Sequence, residues 1–168
     1  RSNNLRPIKF LKTKFHTFIA LIVVKKHGKG IRVNYRCRFT RKTEIKDNCH
    51  FNGMEISGKG KVVIGNNFHS GKECMMITSF HNYDSGKALP YDATSIDKDI
   101  TVEDNVWLGA RVIVLGGATI GEGAIIQAGS LVTGNIPACA IAGGHPAKVF
   151  KYRDIEHYEK LKAEGSFF

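Results

Sequence analysis

From Val102 the chain repeats every six residues without insertion, reading VEDNVW, LGARVI, VLGGAT, IGEGAI, IQAGSL, VTGNIP. Every first position is aliphatic (Val102, Leu108, Val114, Ile120, Ile126, Val132), and the fifth positions, Val106, Val112, Ala118, Ala124, Ser130 and Ile136, are mostly small or β-branched. Positions three and four are rich in Gly, Asn and Asp. An amphipathic helix would place apolar residues three and four apart, so this cycle of short strand and polar corner predicts a coil that turns three times per revolution. Three hexads make one coil, and coils stack at the strand spacing of about 4.8 Å. Upstream the period returns in Val33, Phe39, Ile45 and Phe51, with Cys37, Thr43, Cys49 and Glu55 in the fifth positions. It slips by one residue and, after the Gly-rich stretch Ser57 to Gly60, resumes at Ile64, Ser70 and Met76.

Three segments escape the period. Between His81 and Ile100 lies an aperiodic polar and aromatic stretch, and long excursions of this kind in compact domains tend to be functional. Arg153 to Glu164 reads as a helix with Asp154 as N-cap and Ile155, Tyr158 and Leu161 on one stripe. Residues 5–26, LRPIKFLKTKFHTFIALIVVKK, combine apolar residues with lysines. They are expected either to pack across the first coil or to lie on an anionic membrane surface. The expected organisation is therefore a basic segment over 1–30, a β-helix over 31–152 with a loop at 82–100, and a C-terminal helix over 153–168.

The formal charge of +10 is local rather than global: residues 1–46 hold 14 basic residues and one acid, Glu44, and the remainder 11 basic and 14 acidic. Residues 47–168 are thus slightly acidic, which argues against a nucleic-acid-binding module. Cys37, Cys49, Cys74 and Cys139 form no C-x-x-C pair and read as free thiols, which favours a cytoplasmic setting. The apolar run Phe15 to Val24 is too short to span a bilayer. It has basic flanks on both sides and no small-residue cleavage site after it, so it is not expected to act as a signal peptide.

The segment Asn105 to Lys148, NVWLGARVIVLGGATIGEGAIIQAGSLVTGNIPACAIAGGHPAK, resembles the hexapeptide-repeat O-acetyltransferases of the galactoside, maltose, xenobiotic and polysaccharide-biosynthesis group. The resemblance implies an all-β, left-handed parallel β-helix of triangular section. It also implies a homotrimer with sites between subunits and acetyl-CoA as co-substrate without a metal. Left-handedness comes from the resemblance alone, since parallel crossovers are otherwise right-handed. The implied reaction moves an acetyl group to a hydroxyl of a small-molecule or glycan acceptor. A bacterial surface polysaccharide or lipopolysaccharide is the first expectation, from a cytoplasmic enzyme that could sit at the inner face of the membrane. An antibiotic hydroxyl, an amino sugar and a non-catalytic scaffold are the alternatives.

Carried over residue by residue, the resemblance makes His81 the general base. Asn52 would bind acceptor or oxyanion, although it stands about one residue out of register and a corner role satisfying backbone groups is equally open. Trp107 would wall the pantetheine arm, or pack in an interface. Backbone groups at Ala110, Gly116, Ala128 and Gly129 would bond that arm, and Lys148 and Lys151 would face the adenosine 3′-phosphate. Imidazole suits the base role because it titrates near neutrality. His50, His69 and His81 also raise the zinc site of the gamma-type carbonic anhydrases, but that family's closely spaced downstream histidine pair is missing.

Overall fold

The computed structural model describes residues 5–24 and 26–168, with side chains from Lys9 onward. Residues 1–4 and Lys25, which belong to the expected basic segment, lie outside the described residues.

A parallel β-solenoid of about six turns forms the body. Three ladders wall it. The first face stacks Lys26–His27, Thr43–Ile45, Val62–Ile64, Ile100–Val102 and Thr119–Ile120. The second stacks Arg32–Val33, His50–Asn52, His69–Lys72, Trp107–Leu108, Ile125–Ile126 and Ala140–Gly143. The third stacks Glu55–Ser57, Met75–Ile77, Ile113–Leu115 and Leu131–Val132. The chain visits the faces in that order, so each residue lies above its counterpart one coil earlier, as Leu108 lies over Ser70 and under Ile126.

All the first-position residues are buried, Ser70 included, and form one continuous core down the prism axis. Glu55 departs from the expected register. It faces outward toward Arg38, at 3.6 Å, and Met54 and Ile56 fill the interior instead. The corner after Phe51 is one residue short and the Gly58–Gly60 corner two residues long, which leaves the period one residue out of step from Ile64 onward. Phe39, Phe51 and Phe68 pack ring against ring in these irregular coils, with centroids 5.1 and 5.3 Å apart.

The edge joining the first face to the second carries a left-handed backbone residue in every coil: Gly30, Asn48, Asn67, Asn105, Gly123 and Cys139. Asparagine tolerates that conformation better than most residues. Here its side chains also stack. Asn48 Nδ2 donates to Asn67 Oδ1 at 3.0 Å, and Asn67 Nδ2 to Asn105 Oδ1 at 2.8 Å. The ladder stops where a Cβ at Gly123 would meet the Tyr158 ring at 2.8 Å.

Helix α1, Leu5–Val23, closes the first coil. Ala20 and Val24 enter the core, and Thr17 Oγ1 accepts the Val33 N–H at 2.9 Å, satisfying a donor at the open end of the second ladder. Helix α2, Ile155–Ala163, starts at Asp154, whose carboxylate accepts the His157 N–H. Its apolar stripe is only partly covered within the protomer. Ile155 and Leu161 stay exposed, and only Tyr158 seats on the prism. Before α2, residues Lys148–Tyr152 return antiparallel along Ala140–Gly143. All four cysteines are free and buried, and burial pushes the thiols of Cys37 and Cys49 up to about 11 and about 12.

Candidate active site

The repeat breaks at the edge between the third and first faces. Ser79–His81 leaves the prism and pairs antiparallel with Ser95–Asp97, so the aperiodic stretch is a hairpin whose connecting loop is 82–94. Residues 95–97, expected within the loop, are strand. Asn82 Nδ2 donates to Thr94 Oγ1 at 3.1 Å, and Asn82 Oδ1 accepts from Ser85. Asp92 accepts from Thr94 and from the Lys87 N–H, bonds that hold its carboxyl below the usual range. These local bonds fix the loop without any apolar core of its own.

His81 ends the outgoing strand, exposed, with its ring stacked on Tyr91 at 3.6 Å and 10° between planes. Among the described residues its imidazole has no hydrogen-bond partner. Ser79, Phe80, Tyr83, Tyr91 and Ser95 complete a small apolar-walled cleft around it. Tyr83 and Tyr91 are site residues that sequence reasoning missed; the signal was the pair of tyrosines in a largely polar loop.

Gly116 lies at the root of this hairpin. A Cβ there would stand 2.8 Å from the Lys98 carbonyl and 3.1 Å from the Phe80 ring, and the Gly116 N–H already donates to Ile77. Its smallness therefore serves the hairpin's return. Ala110 and Gly129 stack at a different edge, between the second and third faces, where Gly129 N–H donates to the Ala110 carbonyl at 2.8 Å. Ala128 is exposed beside them, and a Cβ on Gly129 would meet nothing within 4 Å. That surface is open. His145 Nε2 lies 2.7 Å from the Gly129 carbonyl, as the donor of the pair.

Trp107 stands on the second face, 52% exposed, between His69 and Ile125. Lys148 and Lys151 lie opposite Gly143 and Ile141 on the antiparallel return strand, and a bulge at Phe150 puts both on the outward side. Without it, residues three apart would face opposite ways.

Asn52 makes two hydrogen bonds within the prism and also lines an open groove beside helix α1. Its Oδ1 accepts from Asn34 Nδ2 at 3.0 Å, and its Nδ2 donates to the Ser70 carbonyl at 2.6 Å. It lies on the second face, whereas His81 lies beyond the third. Nor do the three histidines converge. His50 and His69 stack one above the other on the second face, with centroids 4.3 Å apart, well away from His81's hairpin. Among the described residues no group of three or more His, Cys, Asp or Glu could hold a metal ion. His50, mainly through burial, is pushed down to about 4.

Residues 99–134 match the bacterial transferase hexapeptide (six repeats) family. The chain is 39% identical over 114 residues to a candidate acetyltransferase of Schizosaccharomyces pombe, covering 68% of this chain and 52% of that protein. It is 39% identical over 106 residues to the galactoside O-acetyltransferase of Lactococcus lactis, covering 60% and 50%. The chain thus spans about half the length of these curated relatives. A solved galactoside acetyltransferase in complex with coenzyme A superposes with a TM-score of 0.73 at 21% identity, covering 94% of this chain and 76% of that one. That likeness speaks for the fold, whose hand is left, as the resemblance implied. With the unbroken hexads, the matched repeats and these relatives together, the chain carries the bacterial transferase hexapeptide repeat and is similar to hexapeptide-repeat acetyltransferases.

Proposed function

We propose that the protein is an acetyl-CoA-dependent O-acetyltransferase that works as a homotrimer, with His81 as general base. The observation that carries this reading is the exposed imidazole of His81, stacked on Tyr91 and otherwise unengaged, at the one place where the repeat opens. In the reaction His81 takes the proton of an acceptor hydroxyl as the oxygen attacks the thioester carbonyl. The tetrahedral intermediate then collapses to ester and coenzyme A thiol, with backbone N–H groups stabilising the oxyanion. Tyr91 holds the ring plane. Among the described residues no side chain binds either ring nitrogen, so orientation rests on that stack and on groups supplied by substrate or a neighbouring subunit.

The separation of the remaining site residues supports a site shared between protomers. His81 and Gly116 belong to one edge; Trp107, Ala110, Ala128 and Gly129 belong to the second face and the edge beyond it. A donor lying between two prisms would meet His81 of one and the Trp107 wall of the other. Lys148 and Lys151, on one side of their strand, would then reach the 3′-phosphate. Asn52, on the same second face as Trp107, keeps one amide N–H and one acceptor position beyond its two bonds, so its acceptor or oxyanion role stands beside the corner role. A sugar hydroxyl in a glycan is the acceptor class favoured by the named relatives, one of which is a galactoside O-acetyltransferase.

The test is acceptor-dependent thiol release from acetyl-CoA over a panel of oligosaccharides and antibiotic alcohols, with sedimentation for the trimer. His81→Ala is expected to lose release while keeping its mass and melting temperature. Full activity in His81→Ala would remove the base assignment. Trp107 is the only tryptophan, so its emission should change on donor binding; unchanged emission at saturating acetyl-CoA would take it out of the donor site.

A further inference from the structure

Helix α1 is amphipathic in the unexpected direction. Of the residues that the helix seats on the prism, with Val24 just after it, Thr13, Thr17 and Ala20 are small or partly polar and Leu21 is the one large apolar side chain. Two positions away along the helix, about 200° around its axis, run Leu11, Phe15, Phe18 and Ile22, with the same spacing of four, three and four. These four are 65, 60, 66 and 64% exposed, and Phe10 and Ile19 extend the stripe on either side. The most apolar face of the helix thus points away from the only core available to it within the protomer. An exposed apolar stripe of this length marks a binding surface rather than chance exposure.

The charges around it identify the occupant. Lys14 borders one side of the stripe, its ammonium 4.4 Å from the Phe10 ring centroid, and Lys12 borders the other. The helix contains no Asp or Glu. The groove between helix and prism adds Lys9, His16 and Lys72. Among the described residues no helix is long and apolar enough to cross a membrane, so this one can only lie along a surface. A stripe of aromatic and aliphatic side chains with cations on both borders fits the boundary between acyl chains and anionic headgroups. A second copy of the same basic helix is a poorer match, because the lysines of the two would face each other.

We infer that α1 docks the protein on an anionic lipid bilayer, with Leu11, Phe15, Phe18 and Ile22 in the acyl boundary and Lys12 and Lys14 on the headgroup phosphates. This does not depend on the acetyltransferase reading. The test is co-sedimentation of the whole chain with vesicles of phosphatidylglycerol and phosphatidylcholine, beside vesicles of phosphatidylcholine alone. Wild type should bind the anionic vesicles at low salt, and binding should fall at least about tenfold as salt screens the headgroups. Phe15→Glu/Phe18→Glu should lose binding at least about tenfold with melting temperature and mass in solution unchanged. Lys12→Glu/Lys14→Glu should lose the preference for anionic vesicles. Absence of binding at low salt would overturn the inference. So would a Phe15→Glu/Phe18→Glu protein that drops to a smaller assembly, since the stripe would then be a contact between copies.

Discussion

Two edges of the same prism handle their polar groups in opposite ways. At the edge between the first and second faces the repeat holds in every coil, and Asn48, Asn67 and Asn105 satisfy one another down the axis. Tyr158 ends the run by accepting from Asn105 Nδ2 and donating to Glu122, both at 2.9 Å. Burial works to raise the Glu122 carboxyl, but bonds from Lys162 and Tyr158 outweigh it and leave its pKa lowered. At the edge between the third and first faces the repeat gives way to a hairpin, and the imidazole at its foot, stacked on Tyr91, has no hydrogen-bond partner among the described residues. Where the period holds, side chains are spent on the fold; where it breaks, one is available for chemistry.

The contrast can be broken most severely at His81. Replacing it by alanine should cost about 10² to 10⁴ in turnover with no change in unfolding midpoint, as measured by thiol release and urea denaturation. The mirror experiment is Asn67→Ala. It removes both ladder bonds and puts alanine in a left-handed conformation, an expected loss of roughly 2–4 kcal/mol of stability with the donor affinity kept. Asn67→Gly sharpens this by restoring the backbone freedom alone, and should recover about 1 kcal/mol of that loss. Should the glycine variant be no better than alanine, the ladder bonds and not the φ of +54° dominate.

Smaller effects follow at the ladder's end and on the second face. Tyr158→Phe keeps the ring over Gly123 and removes the hydroxyl, for an expected loss of about 1 kcal/mol in denaturation. His50 provides a pH signature. Its folded pKa of about 4 lies below the ordinary 6.5, so between those values the unfolded chain binds more protons. Stability should therefore fall as pH drops from 6.5 toward 4. His50→Phe should flatten that slope, and an unchanged slope would place its origin elsewhere.

How much of this was legible in the sequence varied with how local the determining physics was. The tract from Val102 to Val132 could be read residue by residue, because each first position faces the axis through backbone geometry alone, whereas Ile136, expected in a fifth position, lies opposite the first-position Ile120. Even polar Ser70 was placed correctly by the period. Glu55 was misplaced because a single shortened corner rotates the next strand, and nothing in its neighbourhood announces the deletion. Arg111, Glu73 and Cys139 hold left-handed corners that their residue types do not advertise.

Long-range pairing was harder still. The hairpin depends on Phe80 facing Ile96, sixteen residues on, and the shared face of Lys148 and Lys151 depends on a bulge. Asn52 reads equally as a ligand-binding or a corner residue, and its bonds to Asn34 and Ser70, one coil to either side, come from long-range stacking that the sequence does not display. For α1 the apolar and polar stripes were visible, but which of them would meet the prism was not, and the small, partly polar face proved to be the docked one.

Calorimetric titration of acetyl-CoA into the wild-type protein and into His81→Ala tests the central claim most directly. One site per protomer in both, at similar affinity, with thiol release lost only in the variant, is the result expected if His81 acts on the acceptor and the donor is held elsewhere. No measurable binding to either protein would contradict the acetyltransferase reading and leave the prism as a scaffold.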